Sequence, residues 1–171
     1  GGAYDVAAFQ QTKPGLIKAH RWHHLVGGWD GKNKRIYVDG KLVAEAAFAG
    51  MVRPGATALR IGAYGQEGKA VNFFNGDVAM CAIYDRVLNV EQVSKRFADR
   101  GLNLPENDRL LACWPFAEER GEQVADASDF GRDARIINRG TWMIGGPSFN
   151  ASAINRHDTA YDPTKDEKRG H

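Results

Sequence analysis

The chain has 171 residues, 43% hydrophobic and 26% charged, which is enough apolar surface for one compact domain with a working core. Its net charge of +2, from 23 basic and 21 acidic side chains, comes without a basic cluster threaded by aromatics, so no nucleic-acid partner is expected. No apolar run approaches the roughly 18 residues that span a bilayer. Gly1-Gly2-Ala3-Tyr4 has neither the basic nor the apolar region of a signal peptide, so no membrane partner is expected either.

In chain order, Trp22-His23-His24-Leu25-Val26-Gly27-Gly28-Trp29 reads as a strand ending in the turn cluster Asp30-Gly31-Lys32-Asn33. Arg35 to Val38 and Lys41 to Ala44 are β-prone runs around Asp39-Gly40, a pair suited to the two positive φ angles of a type I′ hairpin turn. Three antiparallel strands therefore follow one another as a meander. The stretch from Phe48 to Gly68 is punctuated by Gly and Pro, with one alternating run, Ala58-Leu59-Arg60-Ile61-Gly62-Ala63, expected as a half-buried strand. Phe73 to Asp77 forms a turn into Val78-Ala79-Met80-Cys81-Ala82-Ile83-Tyr84, whose mostly apolar composition predicts cover on both faces.

A helix is expected from Val90 to Arg100, capped by Asn89 with Gln92 in the capping-box position and stopped by Gly101. Val90, Val93 and Phe97 mark its buried stripe. Leu110-Leu111-Ala112-Cys113-Trp114-Pro115-Phe116 is another strand, with Pro115 implying an edge or an end of pairing. Asp126 to Gly131 is a turn, and Ala134 to Ile137 a short strand. Apolar patterning stops at Asn150, which separates an expected domain over 1–149 from a polar linker or arm over 150–171. Cys81 and Cys113 have neither metal-knuckle nor redox spacing and read as small buried hydrophobes. A disulfide between them needs neighbouring strands, whereas so few cysteines fit reduced thiols in the cytoplasm, the expected compartment.

Five separated pieces, Trp22 to Val26, Trp29 to Gly31, Ile36 to Val43, Phe74 to Asp77 and Ile83 to Leu88, resemble in order and spacing the second half of laminin-G-like sandwich domains. A further piece, Ala112 to Phe116 with Glu118, Gly121, Val124 to Ser128, Gly131 and Gly145-Gly146, resembles the opening of such a domain yet follows its closing piece. The resemblance implies an all-β fold: an antiparallel jelly-roll β-sandwich, laminin-G/concanavalin A-like, with permuted strand order and one short helix. Its earlier strands would lie outside this sequence, leaving sheet edges that a longer protein covers. Leu110 to Phe116 should then pair with Val78 to Tyr84. The alternative, a second sandwich starting at Leu110, is disfavoured because only about sixty residues remain and the last of them are polar.

This order is similar to the large (beta) subunit of N,N-dimethylformamidase-like amidohydrolases. That likeness implies a non-catalytic assembly module beside a separate catalytic domain, which holds iron with two tyrosines and a glutamate. Its partners would be the rest of its polypeptide and neighbouring subunits. Tyr4, Tyr37, Tyr64, Tyr84 and Tyr161 all lie in the wrong part of that layout to be ligands.

The residues themselves offer little for catalysis. His23 and His24 are adjacent on a strand, so they point to opposite faces and cannot grip one ion together; one of them with Asp39 or Asp77 would be needed. Glu106 to Asp108 is the only Glu-x-Asp pair and lies in a polar connection, unsuited to the facing carboxylates of glycoside cleavage. No Gly-x-Ser-x-Gly elbow occurs around Ser94, Ser128, Ser148 or Ser152. The contrasting expectation is a lectin-like module, with Trp29 and Trp142 beside turns to stack on carbohydrate, and Asp126, Asp129 and Asp133 to offer oxygens to calcium. Trp22 and Trp114 are expected in the core. His157, Asp158 and Tyr161 in the tail suggest contacts to a following domain, and Asn150-Ala151-Ser152 has the form of a glycosylation sequon.

Overall fold

A computed structural model describes residues 11–50, 58–66, 68–106, 109–138 and 140–143. The expected arm over 150–171, the sequon, Tyr4, Asp108, Gly145-Gly146, Ser148 and Ser152 lie outside the described residues.

The meander forms as β1 (Leu25–Trp29), β2 (Asn33–Val38) and β3 (Lys41–Ala47), antiparallel in the order β1-β2-β3. Its two turns follow from side-chain and backbone chemistry. Asp30 Oδ1 accepts the backbone N–H groups of Lys32 and Asn33, which folds β1 back onto β2. Asp39 and Gly40 take φ angles of 51° and 78°, as a type I′ turn requires, with Val38 opposite Lys41. Gly40 is needed for a second reason: a Cβ there would stand 3.1 Å from the Phe97 ring, where the helix meets the hairpin.

That helix, α1 (Val90–Asp99), carries the expected capping box: Asn89 Oδ1 accepts from Gln92 N, and Gln92 Oε1 accepts from Asn89 N. It ends one residue early, because Arg100 itself adopts the left-handed conformation ahead of Gly101. The buried stripe is narrower than expected. Val93 is fully buried, but Val90 is 56% exposed at the rim of an open cleft beside Arg35 and Tyr37, and Phe97 is 38% exposed.

One sequence expectation of strand fails and a second is shortened. Ala58 to Ala63 is irregular: Gly62 bends the chain at a φ of 75°, leaving Leu59 outside while Ile61 reaches the core. The chain instead pairs β4 (Tyr64–Gln66) with β5 (Lys69–Val71), a short hairpin with no fully buried residue. The run from Val78 is strand only as β6 (Cys81–Tyr84), and Val78 is exposed. Trp22 precedes β1 and is half-buried, so it is not a core residue.

β6 pairs antiparallel with β7 (Leu110–Trp114), so the late strand does lie beside the closing strand across the helical connection. Cys81 faces Trp114 and Ile83 faces Ala112, with a bulge between Ile83 and Tyr84. This one face meets the pair β8 (Gln123–Val124) and β9 (Ala134–Arg135): Ala112, Trp114 and Val124 are buried against Ile61, Cys81, Ile83, Phe116, Ala134, Ile136 and Trp142. The register also decides the cysteine question. Cys113 pairs with Ala82, so it points away from Cys81 and both thiols are free. Burial raises the Cys81 thiol above its ordinary range and, with Asp126 and Cys81 nearby, pushes Cys113 up to about 11.

Trp114 anchors this cluster by area and by its indole N–H, which donates to the Arg132 carbonyl at 2.9 Å. Trp114→Ala is therefore expected to lower unfolding stability by about 3–5 kcal/mol in a urea titration, close to the whole stability of a marginal domain.

Candidate functional site

Three constellations carry the polar chemistry of the described residues. The first is built on Asp39, held at the hairpin tip by its own N–H, which donates to His24 O at 2.8 Å. Its Oδ2 lies 2.9 Å from His23 Nδ1, and its Oδ1 accepts the His24 backbone N–H at 2.9 Å. Lys18 N donates to His23 Nε2, so that nitrogen carries no proton and Nδ1–H is the donor to Asp39. Both ring nitrogens of His23 are thus engaged. His24 contributes its backbone, while its ring lies 6.2 Å from that of Phe97, and burial lowers its pKa despite Asp39. Asp39, not Asp77, joins the two histidines, and it does so as a structural acceptor.

The second constellation is the loop between β8 and β9. Asp126 Oδ1 accepts from Cys113 N and Ser128 N; Oδ2 accepts from Ser128 Oγ and Arg132 N. A carboxylate has about four lone-pair sites, and all four are filled. Ala127 N returns to Cys113 O, and the Arg132 guanidinium donates to Leu111 O. These partners cover the outer edge of β7, whose backbone groups would otherwise invite another strand. Burial works against ionisation of Asp126, but the donors from Cys113, Ser128 and Arg132 outweigh it and hold the carboxyl well below the ordinary range. Asp133 Oδ1 accepts from Asp126 N, and Asp129 is exposed. A calcium ion at Asp126 would have to displace donors already in place.

The tryptophans are tied down in the same manner. Trp29 donates to Phe48 O at 3.0 Å and meets the Phe48 ring edge-on, with Lys34 Nζ 3.8 Å from that ring's centre. Trp142 donates to Gly121 O at 2.7 Å and packs on the Trp114 cluster. Tyr37, Tyr64 and Tyr84 sit on β2, β4 and β6, in three different sheets. Among the described residues, no group of three or more His, Cys, Asp or Glu side chains is placed to hold a metal ion.

The third constellation was missed by sequence reading. Tyr84, Arg86, Gln92, Lys95, Arg96 and Glu106 line a partly enclosed cleft beside the helix. Gln92, Lys95 and Arg96 are spaced i, i+3, i+4, which places them on one helical face, and that spacing was the available signal.

Residues 2–94 match a family described as the concanavalin A-like lectin/glucanases superfamily. The chain belongs to that superfamily. No curated protein and no solved structure matches it. The matched span holds His23, His24, Trp29 and Asp39 and stops inside α1, so Asp126, Asp129, Asp133 and Trp142 stand beyond it. The β6–β7 ladder joins the two parts, giving this concanavalin A-like chain an antiparallel all-β architecture with one short helix. No helix among the described residues is long and apolar enough to cross a membrane.

The Asp126 contacts make a pH-dependent forecast. Its folded-state pKa is depressed, so its ionised form contributes stability above the ordinary carboxylate pKa near 4, and that contribution is lost as pH falls toward the folded-state value. Asp126→Asn should cost about 2–3 kcal/mol at pH 7, with the gap to wild type shrinking below about pH 4. Urea titrations at a series of pH values check both statements; equal stability at pH 7 would remove Asp126 from its central place.

Proposed function

We propose that this chain is a non-catalytic assembly module of a larger amidohydrolase of the N,N-dimethylformamidase kind. Amide hydrolysis and iron would belong to another domain, and the module would pack against that domain or a neighbouring subunit in the cytoplasm. The observation that supports this reading is the engagement of its chemically capable groups by internal partners. Asp126, both ring nitrogens of His23, and the indole N–H groups of Trp29 and Trp142 all bond within the module. What it turns outward includes large apolar side chains: Leu25, Leu59, Phe73 and Phe74 are 60%, 63%, 51% and 61% exposed. Such side chains are available for apolar contact with a partner surface.

The superfamily description also names lectins, and a carbohydrate- or calcium-binding module is the reading against which to test. Purified chain should show no hydrolysis of N,N-dimethylformamide, and its tryptophan fluorescence should not saturate with calcium chloride or simple sugars. The longer protein that carries it should lose assembly when Leu25 and Phe74 are changed to Ser. Hydrolysis by the chain alone would overturn the division of labour. A saturable fluorescence response abolished by Trp29→Phe or Trp142→Phe would transfer the function to ligand binding.

A further inference from the structure

The helix meets the hairpin at Phe97, and the ring of His24, which the roles above leave unused, stands at that meeting. Phe97 lies so close to the β2–β3 turn that a Cβ on Gly40 would be 3.1 Å from it. The half-buried His24 ring packs on the same side chain, with 6.2 Å between ring centroids and a tilt of 34°. His24 Nδ1 is shielded from solvent and has no hydrogen-bond partner among the described residues. Asp39, which holds this corner together, directs its oxygens elsewhere: Oδ2 receives His23 Nδ1–H, and Oδ1 receives the His24 backbone N–H.

These surroundings suit a neutral ring. A neutral imidazole can carry its one proton on Nε2 and leave Nδ1 bare, whereas the imidazolium has an N–H at both nitrogens. A second proton therefore creates a buried donor with no acceptor, and a charge, on a ring packed against Phe97. Two charged groups act on the ring from the elements around it. Burial is the largest influence and lowers the pKa; Asp39 on the hairpin works against that shift, and Arg96 on α1 adds to it. His23, the neighbour in the chain, turns its own ring to Asp39 and to Lys18 N.

We propose that His24 is an acid-sensitive clamp: protonation of its ring loosens the last turn of α1 from the hairpin while the β6–β7 ladder stays paired. The clamp acts within the chain itself and does not depend on the assembly role. Because the pKa of the docked ring is depressed, docking keeps its full strength above the ordinary histidine value of about 6.5. Below that value the released ring takes up a proton more readily than the docked one, and docking weakens as pH falls toward the lowered value.

Amide hydrogen exchange of the purified chain, followed by NMR between about pH 7.5 and pH 5.5 and corrected for the intrinsic exchange rate, tests the clamp above the carboxylate range. Amides from Arg96 to Asp99 should lose protection by up to about tenfold at the lower pH, the limit for a ring that stays neutral when docked and titrates ordinarily when released. Amides of β6 and β7 should keep theirs. His24→Phe keeps a ring against Phe97 that takes no proton, so α1 should stay equally protected at both pH values. His24→Gln, smaller and also without charge, serves as the second variant in case a phenyl ring disturbs folding; its protection should likewise not change with pH. No loss in wild type, a loss of equal size in these variants, or a loss shared equally by β6 and β7 would overturn the proposal.

Discussion

The ladder between β6 and β7 is the constraint on which the rest of the molecule depends. It joins a strand within the matched part of the superfamily to one that follows it after an entire helix. Backbone hydrogen bonds and facing side chains do not record the covalent route by which two strands meet. The connection must only be long enough to return antiparallel, and α1 with the polar segment after it provides that length. Once the ladder forms, Cys81, Ile83, Ala112 and Trp114 share one face, and the β8–β9 pair has an apolar surface to cover.

Asp126 serves that ladder from outside. A newly formed β7 would present unpaired groups at Leu111 and Cys113 along its outer edge. The loop after β8 satisfies them with a carboxylate, a guanidinium and a backbone amide, all organised around one aspartate. The expected exposure of sheet edges is therefore met at this edge by the chain's own loop. The residues that suggest metal or sugar recognition on paper are those that fold the loops, because carboxylates and indoles that can bind a ligand can equally bind a backbone.

The cleft near Arg86 and Arg96 has a different character. Arg86 donates to the helix-cap Gln92, Arg96 reaches the Leu104 carbonyl, and Lys95 pairs with Glu106. Structure in the module thus separates into polar groups engaged internally and a small cationic concavity at the side of α1. That separation comes from geometry: the Gln92, Lys95 and Arg96 face of the helix lines a cleft together with Tyr84, Arg86 and Glu106.

Much of this was legible in the sequence where the interactions are local. Asp39-Gly40 and Asp30 dictate their turns through φ preferences and a side-chain acceptor three residues from its donor, and Asn89 with Gln92 dictates the start of the helix. The pairing of the Trp114 strand with the Tyr84 strand was legible through the resemblance to laminin-G-like domains, which implies that the opening and closing strands lie side by side. What only the tertiary structure decided rests on contacts between distant segments. The opposed cysteines depend on register, the four donors on Asp126 depend on a loop folding back to β7, and the gathered cations depend on how the helix lies. Ala58 to Ala63 shows the same limit in reverse: alternation promised a strand, but Gly62 bent the chain and no neighbour supplied a ladder. Local preference selects a conformation for a few residues, whereas packing and register emerge only when segments far apart in the chain compete for the same partner.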